Sequence, residues 1–441
     1  MSRPPAGASK PAVWTNWSGL ESARPSETFA PVSANAVVEV VGRAAERGAR
    51  LKAVGSGHSF TGIAVADSML MRLDRMSGIV SVDGELVTVR GGTRLADLNP
   101  MLAERGLAMA NLGDIDEQTI AGAIATGTHG TGAALTGLAG QVRALTMVLA
   151  DGRIVRCSPT AEPELFAAAR VGLGALGIVT DVTLQCTPAF LLQAVEAPEP
   201  LGEVLGRLDE LVDGNDHFEF YWFPHTDRTL TKRNNRVPVG TTRAPLPRWR
   251  RALDDEFLSN TVFEWTNRLA ARRPSLVPRI NTVASRALTA RGYTDDSYRV
   301  FASPRRVVFR ESEYAVPRAA VPDVLTALRT WIDGHDERLP FPVEVRFAAA
   351  DDVWLSTGYE RAGGYLAVHQ YHRLEHRRYF EAFEAIVAEH DGRPHWGKLH
   401  TLGVERLRGL YPRLDDFRAV RDRVDPGRMF ANAYLERVLG P

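Results

Sequence analysis

The feature that most constrains this chain is a change of rhythm near residue 190. Up to that point short apolar runs alternate with helical periodicity. ANAVVEVVGRAAERGARLKAVG reads as an amphipathic helix and a short strand. SMLMRL, GIVSVDG and LVTVRGG follow as strands, then TRLADLNPMLAERGL as a helix whose Pro100 is expected at a first turn or a break. VRALTMVLADGRIVRCS predicts a hairpin on its Asp-Gly turn, PELFAAARVGLGAL a helix, and GIVTDVTLQCTP a closing strand. Beyond residue 190 the runs HFEFYWFP, RVVFRESEYAV, FPVEVRF and GYLAVHQYH are long and strand-like, with helical segments between them. Two domains follow: an α+β unit over 25–190, and a second over 191–441 built on an antiparallel sheet with flanking helices. Residues 1–24 are polar and Pro/Ser-rich and read as an arm.

At 441 residues the chain is too long for one ordinary core. Its net charge is zero, so no global field points to nucleic acid. Residues 240–292 are locally basic, with ten arginines against four acidic residues. A solvated helical face is the ordinary reading of such a segment, and a membrane-surface contact the other. Two cysteines, no apolar leader and no apolar run of membrane-spanning length predict a reduced, cytoplasmic protein. Four lysines stand against 49 arginines, so a lysine in a structured place is conspicuous.

Four stretches carry candidate chemistry. In VGSGHSF, Gly55 and Gly57 permit a tight turn and close approach to a ligand, with His58 at its end. TIAGAIATGTHGTG concentrates glycines and threonines suited to contact with a pyrophosphate or a ring system. It lacks the spacing of a dinucleotide fingerprint, and a tightly packed turn would look alike. In PVEVRF, Glu344 and Arg346 share one strand face while Val343, Val345 and Phe347 take the other. They make either a surface ion pair or a substrate-orienting pair. GRPHWGKLH places Lys398, a rare fixed cation, among aromatic and small residues. His369 and Tyr371 alternate in a strand that can share the face of Glu344 and Arg346. No metal is expected, because none of the eleven histidines shows a metal-ligand spacing.

Taken together, VGSGHSF, ATGTHGTG, LGALGIVTDVTL, PVEVRF with DDVWLS, PHWGK and RDRVDPGRMFANAYLERVLG resemble, in order, the motifs of the aldonolactone oxidoreductases. These are the gulonolactone, galactonolactone and arabinonolactone oxidases and dehydrogenases of the vanillyl-alcohol-oxidase type. The resemblance implies a PCMH-type FAD-binding domain and a cap domain, with the C-terminal segment returning to the FAD domain. It implies FAD attached covalently through His58, with Val54, Gly55, Ser56, Gly57 and Ser59 along the cofactor. Gly113, Asp114, Thr119, Gly122, Thr126, Gly127, Thr128, His129 and Ile178 complete the implied cofactor contacts. Glu344, Arg346 and Lys398 take the catalytic positions, with Glu344 either orienting substrate or taking a proton. His369 and Tyr371 face the substrate. The implied reaction is oxidation of a sugar 1,4-lactone, L-gulono-1,4-lactone giving L-ascorbate, with O2 or a cytochrome- or quinone-type acceptor. Glycine at 113 leans toward O2. An alditol oxidase, and a non-catalytic FAD-binding protein, are the competing readings.

Overall fold

The expected hairpin forms between Val142–Val148 and Ile154–Cys157, with Gly152 at φ 83° in its turn. Its first strand also pairs with Ile178–Gln185, and a five-stranded sheet continues through Leu86–Arg90 to Ile79–Asp83. Beside it lies a small parallel sheet of Glu27–Phe29, Met69–Arg72 and Leu51–Val54. The computed structural model describes residues 13–251, 257, 260–303 and 305–441. Helix Ala34–Glu46 is capped by Ser33, whose hydroxyl accepts from Ala36 N, and buries Val37, Val40, Val41 and Ala44. Pro100 neither starts nor breaks its helix, which runs through it over Leu95–Ala103. The ring lies on the exposed side while Leu95, Leu98 and Leu102 are buried, so packing outweighs the one lost hydrogen bond.

The second unit is an eight-stranded sheet in which every pairing is antiparallel. Its order is Arg291–Asp296, Leu191–Pro200, Arg228–Arg236, His217–Trp222, Val343–Ala348, Gly363–Tyr371, Phe309–Pro317 and Arg393–Pro394. One face buries Phe218, Phe220, Trp222, Val343, Val345 and Phe347 against helices Val321–Gly334 and Arg377–Ala388. That face follows from strand alternation.

The two units are locked together. Gly132 N donates to Phe347 O at 2.7 Å, and His217 Nδ1 lies 2.8 Å from Thr131 O, so the small-residue stretch bridges to the sheet. The chain end returns to the first unit. Leu407, Leu414, Phe417, Leu435 and Val438 share one core with Val87, Leu98 and Val182. Asn432 Nδ2 faces three carbonyls, of Gly62, Ile63 and Val65, at 2.9 to 3.1 Å.

The segment read as an arm differs where it is described; residues 1–12 lie outside the described residues. Trp14–Thr15 pairs with Ser22–Ala23, Trp17 N donates to Gly57 O at 2.8 Å, and Asn16 Nδ2 donates to Ser59 O at 2.9 Å. From residue 14 on, the segment is attached to the Gly-rich turn through the Asn16 side chain and the Trp17 backbone.

Candidate active site

The face of the large sheet turned away from its helices carries charge. Alternation puts Glu219 and Tyr221 opposite the core positions Phe218, Phe220 and Trp222, and it does the same for Glu344 and Arg346. Register sets Tyr221 beside Glu344, Lys232 beside Glu219, and His369 beside Glu311. Of these, Tyr221, Lys232, Glu311, Glu344, Arg346 and His369 line a cavity of about 470 Å³, closed on the other side by His58, Gly113, Asp114, Thr126, Thr128 and His129, while Glu219 lies behind them. Helices Phe263–Arg272 and Val277–Ala287 complete the wall through Phe263, Thr266 and Ala284.

Arg346 is the hub. Its Nε donates to Glu219 Oε2 at 3.1 Å. Its Nη2 is ion-paired with Glu344 Oε1 at 2.5 Å and with Asp114 Oδ1 at 3.2 Å. The guanidinium as a whole lines the cavity. Tyr221 OH donates to Glu344 Oε1 at 2.6 Å. Burial, together with Asp114 and Glu219 nearby, pushes the Glu344 carboxyl up to about 7 against the pull of Arg346. Asp114 goes the other way. Burial raises it, but Arg346, Arg305 and Lys398 outweigh that and hold it well below the usual carboxylate range. Two neighbouring carboxyls are thus driven apart, one ionised and one poised near neutrality, as an acid–base pair requires.

A second group surrounds Lys398, whose Nζ donates to Glu311 Oε2 at 2.5 Å. Burial lowers its pKa, but Glu311 and Glu313 raise it further, so it stays an ammonium. His369 Nδ1 lies 3.1 Å from Pro342 O, which accepts its proton and leaves Nε2 as the acceptor on the cavity side. Burial holds this imidazole neutral.

The Gly-rich turn meets both units. Phe60 N donates to Gly397 O at 2.7 Å, which ties VGSGHSF to PHWGK. Gly57 has φ 74°, and a Cβ on Gly55 would stand 2.4 Å from Thr119 Oγ1. His58 stacks on Trp17 at 5.8 Å and lines both the cavity and a groove formed with Gly55, Ser56, Thr119, Gly122 and Gly174. Burial lowers its pKa, so the ring is neutral. A turn that admits only glycine at 55, hydroxyls, and a groove that shares His58, Ser59 and Thr126 with the cavity fit an extended flavin nucleotide.

Most of the expected site residues therefore converge. Val54 lines the far end of the groove, beside Gly177 and Val179. Ile178 sits between those two, but its side chain is packed into the core with Phe29 and Val41. Gly127 supplies a left-handed turn at φ 77° between the cavity residues Thr126 and Thr128. Asp114, expected along the cofactor, is ion-paired with Arg305 at 2.7 Å as well as with Arg346, so it belongs to the charged cluster. Tyr371 does not reach the cavity: it lies at the strand end, and its hydroxyl donates to Glu264 at 2.7 Å.

Sequence reasoning missed Glu219, Tyr221, Lys232, Arg305, Glu311 and Glu313. In HFEFYW polar residues alternate with aromatic ones, and in FRESEY four polar residues stand between two aromatics, in largely buried strands; neither pattern shows which neighbouring strand those polar groups meet. It also missed a cluster assembled from three elements, His129, Glu313 and His395, whose potential ligand atoms lie within 4.8 Å of one another. Their nitrogens are already engaged. His129 Nε2 is 3.1 Å from Glu313 and its Nδ1 3.0 Å from Gly130 O, and His395 Nδ1 accepts from Gly397 N at 3.0 Å. The cluster reads as a hydrogen-bonded wall of the cavity.

Comparison with known proteins agrees with this architecture. A family model described as FAD binding domain matches residues 25–158, and one described as D-arabinono-1,4-lactone oxidase matches residues 182–438. A protein named L-gulono-1,4-lactone dehydrogenase from Mycobacterium tuberculosis is 42% identical over 97% of this chain and 99% of its own length. The L-gulonolactone oxidase of Bos taurus is 35% identical over 97% of this chain and 98% of its own. Among solved structures, cholesterol oxidase from B. sterolicum superposes with a TM-score of 0.83 at 18% identity, covering 100% of this chain and 99% of that one. This last likeness shows the vanillyl-alcohol-oxidase type of fold. With its FAD domain, its antiparallel cap sheet and these full-length relatives, the chain belongs to the aldonolactone oxidoreductase family.

Proposed function

We propose that this enzyme oxidises the C2 hydroxyl of an aldono-1,4-lactone, with L-gulono-1,4-lactone as the first substrate to test and L-ascorbate as the tautomerised product. The observation that carries the reading is the Glu344–Arg346–Tyr221 group at the centre of a cavity shared with His58 and Gly113. FAD, held along the groove of Gly55, Ser56, Thr119 and Gly122 with His58 at the cavity, would supply the hydride acceptor for the C2 hydrogen. The chain supplies the rest. Glu344, poised by burial and by its carboxylate neighbours, takes the hydroxyl proton on Oε1 or Oε2. The guanidinium of Arg346, which lines the cavity, stabilises the substrate oxygen as negative charge develops. Lys398 fixes positive charge on the far side of the cavity, and His369 Nε2 accepts from a substrate hydroxyl. The curated relatives named above are lactone oxidoreductases, which favours the lactone over an open-chain alditol and catalysis over mere flavin binding.

We also assign His58 as the point of covalent attachment. The support is a neutral ring held by Trp17 between groove and cavity, with a nitrogen lone pair available to the 8α carbon of the flavin. A lipid-surface contact rests on the outer face of the two cavity-wall helices. There Trp265, Leu269 and Val283 are exposed among Arg272, Arg279 and Arg286. Sedimentation with anionic vesicles tests it, and protein left in the supernatant removes it. Among the described residues no helix is long and apolar enough to cross a membrane.

The deciding experiment is anaerobic bleaching of the enzyme's flavin absorbance. Bleaching by L-gulono-1,4-lactone and not by alditols is the expected result. Bleaching by alditols alone would overturn the lactone assignment.

A further inference from the structure

Lysine is rare in this chain, and the positions of its lysines are informative. Lys10 lies outside the described residues. Lys232 pairs with Glu219 at 3.2 Å and Lys398 with Glu311 at 2.5 Å. Lys52 is as deeply placed as either, at 4% exposed, and makes no ion pair among the described residues. Its Nζ donates to Gly174 O at 3.0 Å and to Phe430 O at 3.1 Å. Both partners are neutral carbonyls, and one of the three ammonium hydrogens has no acceptor among the described residues. The acids around it are committed elsewhere. The Asp425 carboxylate accepts from Met429 N and Phe430 N at 2.8 and 2.9 Å, and Asp67 pairs with Arg50 at 3.3 Å. Burial lowers the Lys52 pKa to about 7, with Asp425 and Asp67 offsetting only part of that cost.

A buried ammonium without a counter-ion is costly, and it persists where something else supplies the negative charge. Lys52 lines the groove that holds Gly55, Ser56, Gly57, Thr119, Gly122 and Gly174. The other donors of that groove are neutral: backbone N–H groups and hydroxyls. Gly174, at φ 63°, keeps the approach to the ammonium short, since a Cβ there would stand 3.5 Å from Nζ.

We propose that Lys52 is a cofactor-binding residue whose ammonium is the counter-charge of the FAD diphosphate, so that the bound nucleotide completes an ion pair the chain leaves open. This rests on FAD being the resident flavin. It separates Lys52 from a purely structural tie between the Gly174 turn and the C-terminal loop, because a tie is indifferent to phosphate.

The test uses the full chain carrying His58→Ala, so that flavin binding is reversible, and compares FAD with riboflavin by fluorescence quenching. Adding Lys52→Met is expected to weaken FAD at least tenfold and to leave riboflavin affinity within about twofold. Lys52→Arg, which keeps the charge, is expected to retain most of the preference for FAD. Equal weakening of both flavins, or unchanged FAD affinity, overturns the proposal in favour of the structural tie. Should Lys52→Met fail to fold, the parent decides by pH. Asp425 and Asp67 are the charged groups that face the ammonium. FAD affinity is then expected to fall up to tenfold per pH unit above about 7 while riboflavin affinity stays level. A flat FAD profile overturns the assignment. Failure of the parent to bind either flavin overturns the flavin reading itself, and this one with it.

Discussion

At the scale of single residues, the proposed chemistry turns on one carboxyl that burial brings to a pKa of about 7. Glu344 accepts a proton only as the carboxylate. With its pKa raised to about 7, kcat/KM is expected to rise as pH rises through that value and to be lost below it. A pH profile of lactone-dependent flavin reduction checks this. A level profile between pH 5.5 and 8.5 would remove Glu344 as the acceptor. Tyr221 tunes the same group, because its hydroxyl donates to the charged form. Tyr221→Phe is expected to move the acid limb up by roughly one pH unit, since a hydrogen bond to a charged group is worth about 1.5–3 kcal/mol. A fall in kcat with an unmoved limb would make Tyr221 a packing residue. Glu344→Gln, and separately Lys398→Ala, are each expected to lower kcat by roughly 10²-fold. Glu344, Arg346, Lys398 and His58 were all legible in the sequence as chemistry out of place: charges in an apolar strand, a lysine in an arginine-rich chain, an imidazole on a glycine turn. Tyr221 and Glu219 were not, because an aromatic strand reads as core until its neighbouring strand is known.

At the scale of elements, the strand Val343–Ala348 does two jobs with its two faces. Val343, Val345 and Phe347 anchor it in the core, and that anchorage fixes where Glu344 and Arg346 point. Phe347 stacks on Phe218 with ring centroids 6.2 Å apart, and its carbonyl accepts from Gly132 N in the other unit. Phe347→Ala is therefore expected to cost about 3–5 kcal/mol of stability. It should also lower kcat, although the residue touches no substrate. A denaturant midpoint near that of the parent would show that the sheet does not depend on this contact. Strand existence and facing were readable from period-two alternation. Strand order was not: the pairing of Val343–Ala348 with His217–Trp222 spans more than a hundred residues, and it alone brings Tyr221 to Glu344. For the same reason Tyr371 was misplaced. Alternation puts it on the face of His369, but its place at the strand end carries it past the cavity to Glu264.

At the scale of the molecule, the active site is a seam closed by both ends of the chain. Trp17 from the N-terminal segment stacks on His58, and the C-terminal loop reaches back to the strand that leads into the same turn, through Leu51 N donating to Met429 O at 2.9 Å. The change of rhythm near residue 190 announced two units. It could not announce that the polar first segment and the last helices belong with the FAD-binding unit: the first is held by hydrogen bonds to the Gly-rich turn, which leave no periodicity, and the last helices are apolar on one face without naming the core they join. In the proposed reading the seam also sets what can approach the flavin from the protein side. Gly113 lies in its wall, and a Cβ there would stand 3.2 Å from His129 O and 3.4 Å from Thr128 Cγ2. Space around that position is thus scarce: a methyl group presses on a backbone carbonyl and fills room that a diatomic molecule can use. If O2 is the acceptor, Gly113→Ala is expected to slow re-oxidation by air at least tenfold while leaving anaerobic reduction by lactone within about twofold. Stopped-flow measurement of the two half-reactions separates them. Slow re-oxidation by air already in the parent, with rapid recovery on adding cytochrome c, would make this a dehydrogenase, in line with the name of the Mycobacterium tuberculosis relative, and glycine at 113 would then carry no information about the acceptor.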